Sequence, residues 1–400
     1  MFIQETISTP IKMECDVLVA GGGIAGISAA MASAREGKKV ILCERMFMLG
    51  GLATAGLVTI YLPLCDGYGR QVSFGIAEQL LRLSVKESPI ESRGYHDWIV
   101  APETEHTETS ARFVVEFNPN LFAINAEKLL LSLGVRILYG TTVVQTLAKD
   151  GTVEAVICEG KAERFAIRVG AVVDSTGDAD VAVFANIPTA LFSQGNVLAG
   201  WYYSVSENGY KLHMIGACDT PDEDKTGKEA KPIFNRRFAS IETEELSEQT
   251  ILSHTATHNH YLQMQKVDPT HEPVTIASIP QVRMTRRVDG EYTLGTSEMH
   301  TYFEDSIGMV SNWKKRGPVY EVPFRTLYNN AVKNVFFAGR CTSTTDAMWD
   351  IMRVIPCCAV TGEAAGIAAS LHCENGEVAL PLLQEKLVLR GVVLHEKDLK

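Results

Sequence analysis

A glycine-rich turn between an apolar strand and a helix is the sequence feature that most constrains this chain. Residues 16–20 form a short apolar run rich in β-branched side chains, and Gly21, Gly23 and Gly26 follow with the spacing G-x-G-x-x-G. Residues 24–36 then have the pattern of a helix with small side chains along one side. The first glycine of such a turn allows a tight bend, the second leaves room for a pyrophosphate, and the third lets helix and strand pack closely. The helix N-terminus presents unpaired N–H groups to the phosphates.

The residues after this turn complete the pattern of a dinucleotide-binding unit. A second apolar strand is predicted at residues 38–43, and it ends at Glu44, 21 residues after Gly23. A carboxylate at this distance is where the fold binds ribose hydroxyls. Gly50 and Gly51 follow shortly afterwards, which suggests that the backbone approaches the ligand a second time. This second glycine pair favours FAD over NAD.

Composition and charge exclude several classes of protein. With 46% apolar and 21% charged residues, the chain of 400 residues has the make-up of a soluble globular protein. The net charge of −11 argues against nucleic-acid or membrane partners, since phosphate groups would be repelled. No apolar run reaches the roughly 18 residues of a membrane span, and residues 1–12 lack an export leader. Nine scattered cysteines without C-x-x-C indicate reduced thiols. We expect a cytoplasmic protein that acts on a small molecule, and its oligomeric state stays open.

The rest of the chain predicts a discontinuous nucleotide-binding domain with an insert. Further helices are predicted at residues 76–86, 117–133, 241–267, 354–371 and 380–390, and strands at 135–148, 152–158, 163–169, 171–174 and 334–337, with two more within 272–294. Residues 88–110 and 219–232 are predicted to be loops. Because the composition changes near residue 191 and returns near residue 321, we predict one domain from residues 1–190 and 321–400. Residues 191–320 would form an inserted α+β substrate or cap domain.

Two clusters invite a functional interpretation that the residues do not favour. His254, His258 and His260 could share a helix face, but no acid or cysteine stands at ligand spacing beside them. A solvated helix face is favoured, so no metal site is predicted. Cys357 and Cys358 would diverge on a helix and could bridge only with strain. They are better explained as small buried residues beside the ligand.

Three arginines in the insert are harder to explain as ordinary surface charge. If residues 283–287 form a strand, the Arg283 and Arg287 side chains lie on one face and Arg286 on the other. Guanidinium groups on a buried face need anions. The sequence leaves open whether these anions are a substrate or carboxylates of the protein itself.

Several stretches together resemble a known family. They are VLVAGGGIAGISAA, LGGLATAGLV, GRQVSFGIAEQLL, VVDSTGDADVA, RRVDGEYTL, VFFAGRC and RVIPCCAVTGEAAGIAA, and they leave only about residues 192–271 unmatched. In this order they resemble the FAD-dependent oxidoreductases with a glutathione-reductase-like nucleotide fold, and most of all a bacterial group distantly related to fumarate reductase flavoproteins. The resemblance implies an α/β fold: a Rossmann-like, three-layer FAD-binding domain whose mainly parallel sheet is joined by an antiparallel β-meander.

The resemblance also assigns cofactor contacts by position. Those on the pyrophosphate, adenosine and diphosphate side would be Gly21, Gly23, Ile24, Ala25, Gly26, Glu44, Arg45, Gly51, Leu52, Ala53, Thr54 and Val143. Those on the second loop and near the ribityl chain and flavin ring would be Thr176, Gly177, Asp180, Gly339, Arg340, Arg353, Val354 and Ile355. The group usually has a histidine shortly before the RVIP segment, but residues 344–349 contain none. Residues 49–56 also lack the histidine that tethers flavin in relatives, so FAD is expected to bind non-covalently.

These observations predict an FAD-dependent oxidoreductase that transfers hydride to or from a small organic substrate, an anionic one if the arginines bind substrate and not protein carboxylates. Arg283 and Arg287 would hold the substrate, Arg353 would stand near the flavin ring, and Tyr292 and His300 are candidates for moving a proton. One alternative keeps the flavin in a structural, lyase or isomerase role. Another is an NAD-binding or tRNA-interacting protein on the same fold, and the acidic charge argues against RNA.

Overall fold

The computed structural model describes residues 3–87, 114–216 and 233–399. The two predicted loops, at residues 88–110 and 219–232, lie outside these described ranges. The described helices are α1 (Ile24–Arg35), α2 (Ile76–Val85), α3 (Pro119–Ser132), α4 (Asp180–Phe184), α5 (Thr243–Val267), α6 (Asp346–Met352), α7 (Ile355–Asn375) and α8 (Leu380–Leu389).

The described strands fall into one large sheet and several small ones. They are β1 (Ile11–Ala20), β2 (Val40–Glu44), β3 (Ile60–Tyr61), β4 (Val115–Glu116), β5 (Arg136–Tyr139), β6 (Thr142–Lys149), β7 (Thr152–Glu159), β8 (Arg164–Asp174), β9 (Thr189–Leu191), β10 (Gly200–Ser206), β11 (Gly209–Ile215), β12 (Glu272–Ile276), β13 (Arg286–Val288), β14 (Ser306–Ser311), β15 (Val319–Pro323) and β16 (Val335–Phe337).

The large sheet has seven strands and confirms the predicted α/β class. Its order is β5-β2-β1-β8-β7-β6, and β16 also pairs with β8. The pairs β5–β2, β2–β1, β1–β8 and β8–β16 are parallel, whereas β8–β7 and β7–β6 are antiparallel. A mainly parallel sheet therefore continues into an antiparallel meander.

Two strand boundaries differ from the sequence-based prediction, each for a backbone reason. The predicted strand over residues 135–148 divides at Gly140, whose φ of +57° breaks the extended chain. Its first part, β5, joins the parallel strands and its second part, β6, joins the meander. The predicted strands at 163–169 and 171–174 are one strand, β8, because β1 pairs along nearly its whole length.

The parallel part of the sheet is covered by helices on one face and by the meander on the other. Along β1, Val17 and Val19 join the core that contains α1 and α7, whereas Leu18 and Ala20 join the core beneath the meander. This alternation follows from the two-residue period of a strand. The sequence shows one continuous apolar run there because both faces are buried.

Small residues allow α1 and α7 to pack closely. A Cβ atom on Gly362 would lie 2.3 Å from the carbonyl oxygen of Ala25, and one on Gly366 would lie 2.4 Å from that of Ala29. The Ser33 hydroxyl also donates to the carbonyl oxygen of Gly366 at 2.9 Å. Larger side chains at these positions would push the helices apart, so the small-residue pattern has a packing cause.

A separate antiparallel sheet, with order β11-β10-β12, carries α5 and stands over the carboxyl edge of the large sheet. We call this sheet and α5 the cap. The division of the chain at residues 190/191 and 320/321 stays a prediction. Ile307 and Val310 of β14 and Tyr320 of β15 lie in the same apolar core as α1 and α7.

Within the described ranges, no single helix is long and apolar enough to cross a membrane. Helices α6 and α7 together meet the length and composition of a span, but they are bent by 89° at the break between them. In the fold, α7 is buried from Ile355 to Leu371.

Candidate active site

A cavity of about 850 Å³ lies between the carboxyl edge of the large sheet and the cap. Residues at or just beyond the ends of four parallel strands contribute to its wall: Ala20 at the end of β1, Glu44 at the end of β2, Ser175 after β8 and Ala338 after β16. This is where open α/β sheets bind ligands, because the loops at the carboxyl ends diverge and leave a crevice. The volume falls in the range of small-molecule and cofactor sites.

The three glycines of the first turn have the separate roles that their spacing predicts. Gly21 has φ of +97°, and a Cβ atom there would lie 2.6 Å from the carbonyl oxygen of Ser175. A Cβ atom on Gly26 would lie 1.9 Å from the carbonyl oxygen of Gly21, so this position closes the contact between helix and strand. By contrast, no described atom lies within 4 Å of a Cβ placed on Gly23, which lines the cavity.

The N-terminus of α1 completes a cradle at Gly23. Gly23 is the N-cap residue and provides no side-chain hydrogen bond to the first turn. The first N–H groups of a helix have no intrahelical acceptor and carry the positive end of the helix dipole. Open space beside bare backbone, facing such a helix end, fits the diphosphate of a dinucleotide.

Glu44 braces the turn from below and also reaches the cavity wall. Its two carboxylate oxygens accept hydrogen bonds from the N–H groups of Gly22 and Met46, each at 2.7 Å. Burial raises the pKa of this carboxyl, while the two backbone hydrogen bonds act in the opposite direction. The carboxylate therefore fixes the turn, and its remaining lone pairs can accept hydrogen bonds from ribose hydroxyls.

The second glycine pair does bring backbone next to the first turn. The N–H group of Gly50 donates to the carbonyl oxygen of Gly22 at 2.8 Å. A Cβ atom on Gly51 would lie 3.3 Å from the Cα atom of Gly23, and Gly51 lines the same cavity. The two turns thus place bare backbone side by side on the cavity wall.

The loop after β8 is held by a buried carboxylate. Asp174 accepts hydrogen bonds from the Thr176 hydroxyl at 2.7 Å and from the N–H groups of Val181 and Ala182 at 3.0 and 3.3 Å. Burial raises its pKa to about 6. Because these bonds pair the free N–H groups at the start of α4, Asp174 positions the loop. Thr176, Gly177 and Asp180 of this segment line the cavity.

Arg340 ties this loop to the segment that leads into β13. Its guanidinium donates to the carbonyl oxygens of Val282 and Arg283, each at 3.1 Å, and lies 3.4 Å from the Asp178 carboxylate. Asp178 also accepts a hydrogen bond from the Thr285 hydroxyl at 2.6 Å. This arrangement fixes the segment before β13 against the loop after β8.

Most of the predicted cofactor residues lie on the cavity wall. They are Gly21, Gly23, Ile24, Ala25, Glu44, Arg45, Gly51, Leu52, Ala53, Val143, Thr176, Gly177, Asp180, Gly339, Arg340, Arg353, Val354 and Ile355. Gly26 and Thr54 lie behind it. Gly26 packs against Gly21, and the Thr54 hydroxyl donates to the carbonyl oxygen of Leu49 at 2.6 Å.

The predicted arginines do not share one face. The strand extends only over Arg286–Val288, so the alternation expected for residues 283–287 does not apply. Arg283 lines the cavity with 3% exposure, and its guanidinium lies 4.9 Å from the centre of the Trp201 ring. Arg287 is not on the cavity wall, and it donates to the carbonyl oxygen of Val288 at 3.0 Å. The Arg286 guanidinium donates a hydrogen bond to the Asp180 carboxylate at 3.0 Å, a pairing that the sequence did not reveal.

Three other predicted catalytic residues have defined partners. Arg353 lines the cavity, and its Nε donates to Asp350 at 2.8 Å. The Tyr292 hydroxyl donates to Glu298, and Nδ1 of His300 lies 2.8 Å from Glu396. Neither Tyr292 nor His300 is on the described cavity wall, and their proposed role in proton transfer stays a prediction.

The structure also adds cavity residues that sequence reasoning missed. Trp201 and Trp313 lie on the wall, together with Thr243, Ser247 and Thr250 along one side of α5. The spacing of these three hydroxyl residues in a predicted helix was a usable signal. Cys358 lies on the wall as a thiol, since burial raises its pKa to about 12.

Comparison with known proteins gives the chain a family. The sequence model described as FAD dependent oxidoreductase matches residues 16–198 and 203–387. None of the curated proteins matches. The solved structure of p-nitrophenol 4-monooxygenase from Pseudomonas putida is similar, with a TM-score of 0.50, 12% identity, and coverage of 94% of this chain and 84% of that one. A geranylgeranyl bacteriochlorophyll reductase-like protein from Thermoplasma acidophilum has a TM-score of 0.47 and 11% identity, covering 94% and 83% of the two chains.

The similarity to the monooxygenase structure concerns the fold alone, because the identity is low. The family match covers most of the chain, including the glycine turn and the cavity residues of α7. Its cofactor, FAD, fits the bare-backbone cradle at Gly23. The chain therefore belongs to the FAD dependent oxidoreductase family.

Proposed function

We propose that this enzyme binds FAD non-covalently along the carboxyl edge of the large sheet and uses it to oxidise or reduce a small organic molecule. The observation that carries the proposal is the open cradle at Gly23, which faces a cavity of about 850 Å³. The diphosphate would lie on the N–H groups of α1, and Glu44 would accept the adenosine ribose hydroxyls.

The remaining predicted cofactor residues have matching places in this proposal. The wall residues of the two glycine turns, together with Glu44, Arg45 and Val143, would contact the adenosine and diphosphate parts of FAD. The residues of the loop after β8 and of the segments after β16 and before α7 would approach the ribityl chain and ring system. Gly26 and Thr54 would act by packing behind the wall.

FAD supplies the hydride or electron transfer when it is bound. The protein groups would position the substrate and supply charge. Arg353, oriented by Asp350 at 2.8 Å, would place a positive charge beside the ring system. Arg283, fixed through its carbonyl oxygen by Arg340, would bind an anionic group of the substrate. Arg287 lies off the wall, so we do not include it in substrate binding.

The proposal is tested by the spectrum and redox behaviour of the purified protein. We expect a flavin absorption spectrum and release of all flavin on acid precipitation. Under anaerobic conditions, at least one member of a panel of carboxylates, hydroxy acids and amines should bleach the flavin. Flavin that precipitates with the polypeptide would contradict non-covalent binding. A flavoprotein that dithionite reduces but no organic donor or acceptor affects would favour a non-redox role.

A further inference from the structure

One part of the cavity is built differently from the cofactor cradle. It is formed by the cap and by residues next to β3, and we call it the cap chamber. Its apolar wall includes Val58, Ile60, Leu62 and Ile279. Trp201 and Arg283 lie in the same chamber with 5% and 3% exposure.

Exposure distinguishes the two ends of the cap chamber. Ile251 of α5 and Met214 of β11 are 64% and 56% exposed, so they mark its entrance. The buried Trp201 and Arg283 mark its closed end. The wall therefore combines exposed residues near the surface with a buried indole and a buried positive charge.

The closed end contains a hydrogen-bond donor without an acceptor. The indole N–H of Trp201 is buried and has no partner among the described residues. A buried donor left unsatisfied destabilises the folded protein, so such groups generally have a partner when a ligand is bound. Its neighbour, the Arg283 guanidinium, lies over the same ring at 4.9 Å. An indole N–H and a guanidinium can only donate, so a ligand group here must be an acceptor.

The backbone around Arg283 is rigid enough to hold this arrangement. Asn196 is fully buried, and its side-chain oxygen accepts from the N–H groups of Arg283 and Met284 at 3.1 and 3.0 Å. Its amide nitrogen donates to the carbonyl oxygen of Met284 at 2.6 Å. With the bond from Arg340 to the Arg283 carbonyl, these contacts fix the closed end on two sides.

We propose that the cap chamber selects a carboxylate with an apolar body, such as an aromatic acid. The carboxylate would accept hydrogen bonds from Trp201 and Arg283, and the body would lie against Val58, Ile60 and Leu62. Charge-assisted bonds to a guanidinium favour a carboxylate over a neutral hydroxyl, and the apolar wall favours an aromatic body over a short chain. This inference rests on the proposed function, since it names the substrate class of the same site.

The test uses FAD-loaded protein and ligands that separate charge from body. Benzoate, phenylacetate and indole-3-acetate have both a carboxylate and an aromatic body. The matching alcohols, benzyl alcohol, 2-phenylethanol and tryptophol, have the aromatic body without the charge. Acetate and propanoate have the charge without the aromatic body. Binding is measured by the change in flavin absorption and by the shift in Tm. At least one aromatic acid should bind about tenfold or more tightly than its alcohol and than acetate.

Two sets of variants locate the effect. Trp201→Phe keeps an aromatic ring and removes the unpartnered donor, so it should weaken binding of the acid about fivefold or more while the protein keeps its FAD. Arg283→Gln should abolish the preference for acid over alcohol. If Arg283→Gln fails to fold, Ile251→Lys and Ile251→Glu provide a matched pair at the exposed entrance. At low salt the lysine variant should bind the acid about threefold more tightly than the glutamate variant, with the alcohol unaffected.

The inference is overturned if acetate binds as tightly as the best aromatic acid, if each alcohol matches its acid, or if no aromatic acid binds. It is also overturned if Trp201→Phe leaves acid binding unchanged. The proposed function fails separately when aromatic acids bind but no organic compound changes the flavin's redox state. If short aliphatic acids bleach the flavin and aromatic acids do not bind, the proposed function stands and this inference fails.

Discussion

Gly23 and Gly26 belong to the same turn, but the structure predicts different consequences for the same substitution. A Cβ atom on Gly26 would lie 1.9 Å from the carbonyl oxygen of Gly21, and real Cβ contacts are not shorter than 3.0 Å. Backbone must therefore shift by about 1 Å before alanine fits. Overpacking of this kind costs about 1–3 kcal/mol, and more when backbone rather than a side chain must move.

Gly23→Ala is the matched control. No described atom lies within 4 Å of a Cβ at this position, and Gly23 already has φ of −68°, which alanine adopts without strain. We expect the unfolding free energy of the apoprotein to change by less than about 1 kcal/mol, the usual size of an N-cap effect. The added methyl group would instead occupy the space that we assign to the diphosphate, so FAD affinity should fall.

Urea denaturation of the two apoproteins and flavin absorbance after desalting are the measurements. Gly26→Ala should lose both stability and flavin, whereas Gly23→Ala should lose flavin with almost unchanged stability. The reasoning is refuted if Gly23→Ala destabilises the apoprotein as much as Gly26→Ala does. A Gly23→Ala protein that retains a full complement of FAD would refute the placement of the diphosphate.

Three further predictions follow from the charged and titratable groups. Glu44→Gln removes one of two acceptors for the N–H groups of Gly22 and Met46, so FAD affinity should fall about tenfold or more in a fluorescence titration. Burial raises the pKa of Glu363 from 4.5 to about 7. Because the folded state then binds this proton more tightly than the unfolded state does, the protonated carboxyl stabilises the fold at low pH. This stabilisation is lost as the pH rises from 4.5 through 7. Glu363→Gln should flatten that part of a plot of unfolding free energy against pH, and an unchanged plot would contradict the prediction. Burial, with His260, His271 and Lys211 nearby, lowers the pKa of His213 from 6.5 to about 4. Because the unfolded state then binds this proton more tightly, Tm should fall as the pH drops from 6.5 to 4. The fall in Tm should be smaller in His213→Gln.

The glycine turn was predictable from sequence because its constraints are local. The spacing of Gly21, Gly23 and Gly26 after an apolar strand determines the tight bend, the open space and the close helix contact in one short stretch. The same holds for the helices α1 and α7, whose small residues signal close packing. The resemblance to FAD-dependent oxidoreductases, which depends on several such stretches in order, is confirmed by the family match.

The arginines show where sequence reasoning fails. The prediction that Arg283 and Arg287 share a face assumed a strand, but pairing with β9 extends only over Arg286–Val288. Strand length depends on a partner that is distant in sequence, so the period of two could not be applied with certainty. The actual environment of Arg283 is set by Trp201, Asn196 and Arg340, which lie on other elements.

The sequence by itself thus determined the glycine turn between strand and helix, because its geometry follows from short-range backbone requirements. The mainly parallel sheet was implied by the resemblance of several stretches to a known family, which also supported the cofactor class. Tertiary structure alone decided which side chains complete the cavity. It brought the hydroxyl side of α5, the Trp201 indole and the buried Arg283 to a wall shared with the glycine turn. The physical reason is that a buried charge or donor acquires its role from neighbours brought together by packing, and no local pattern encodes those neighbours.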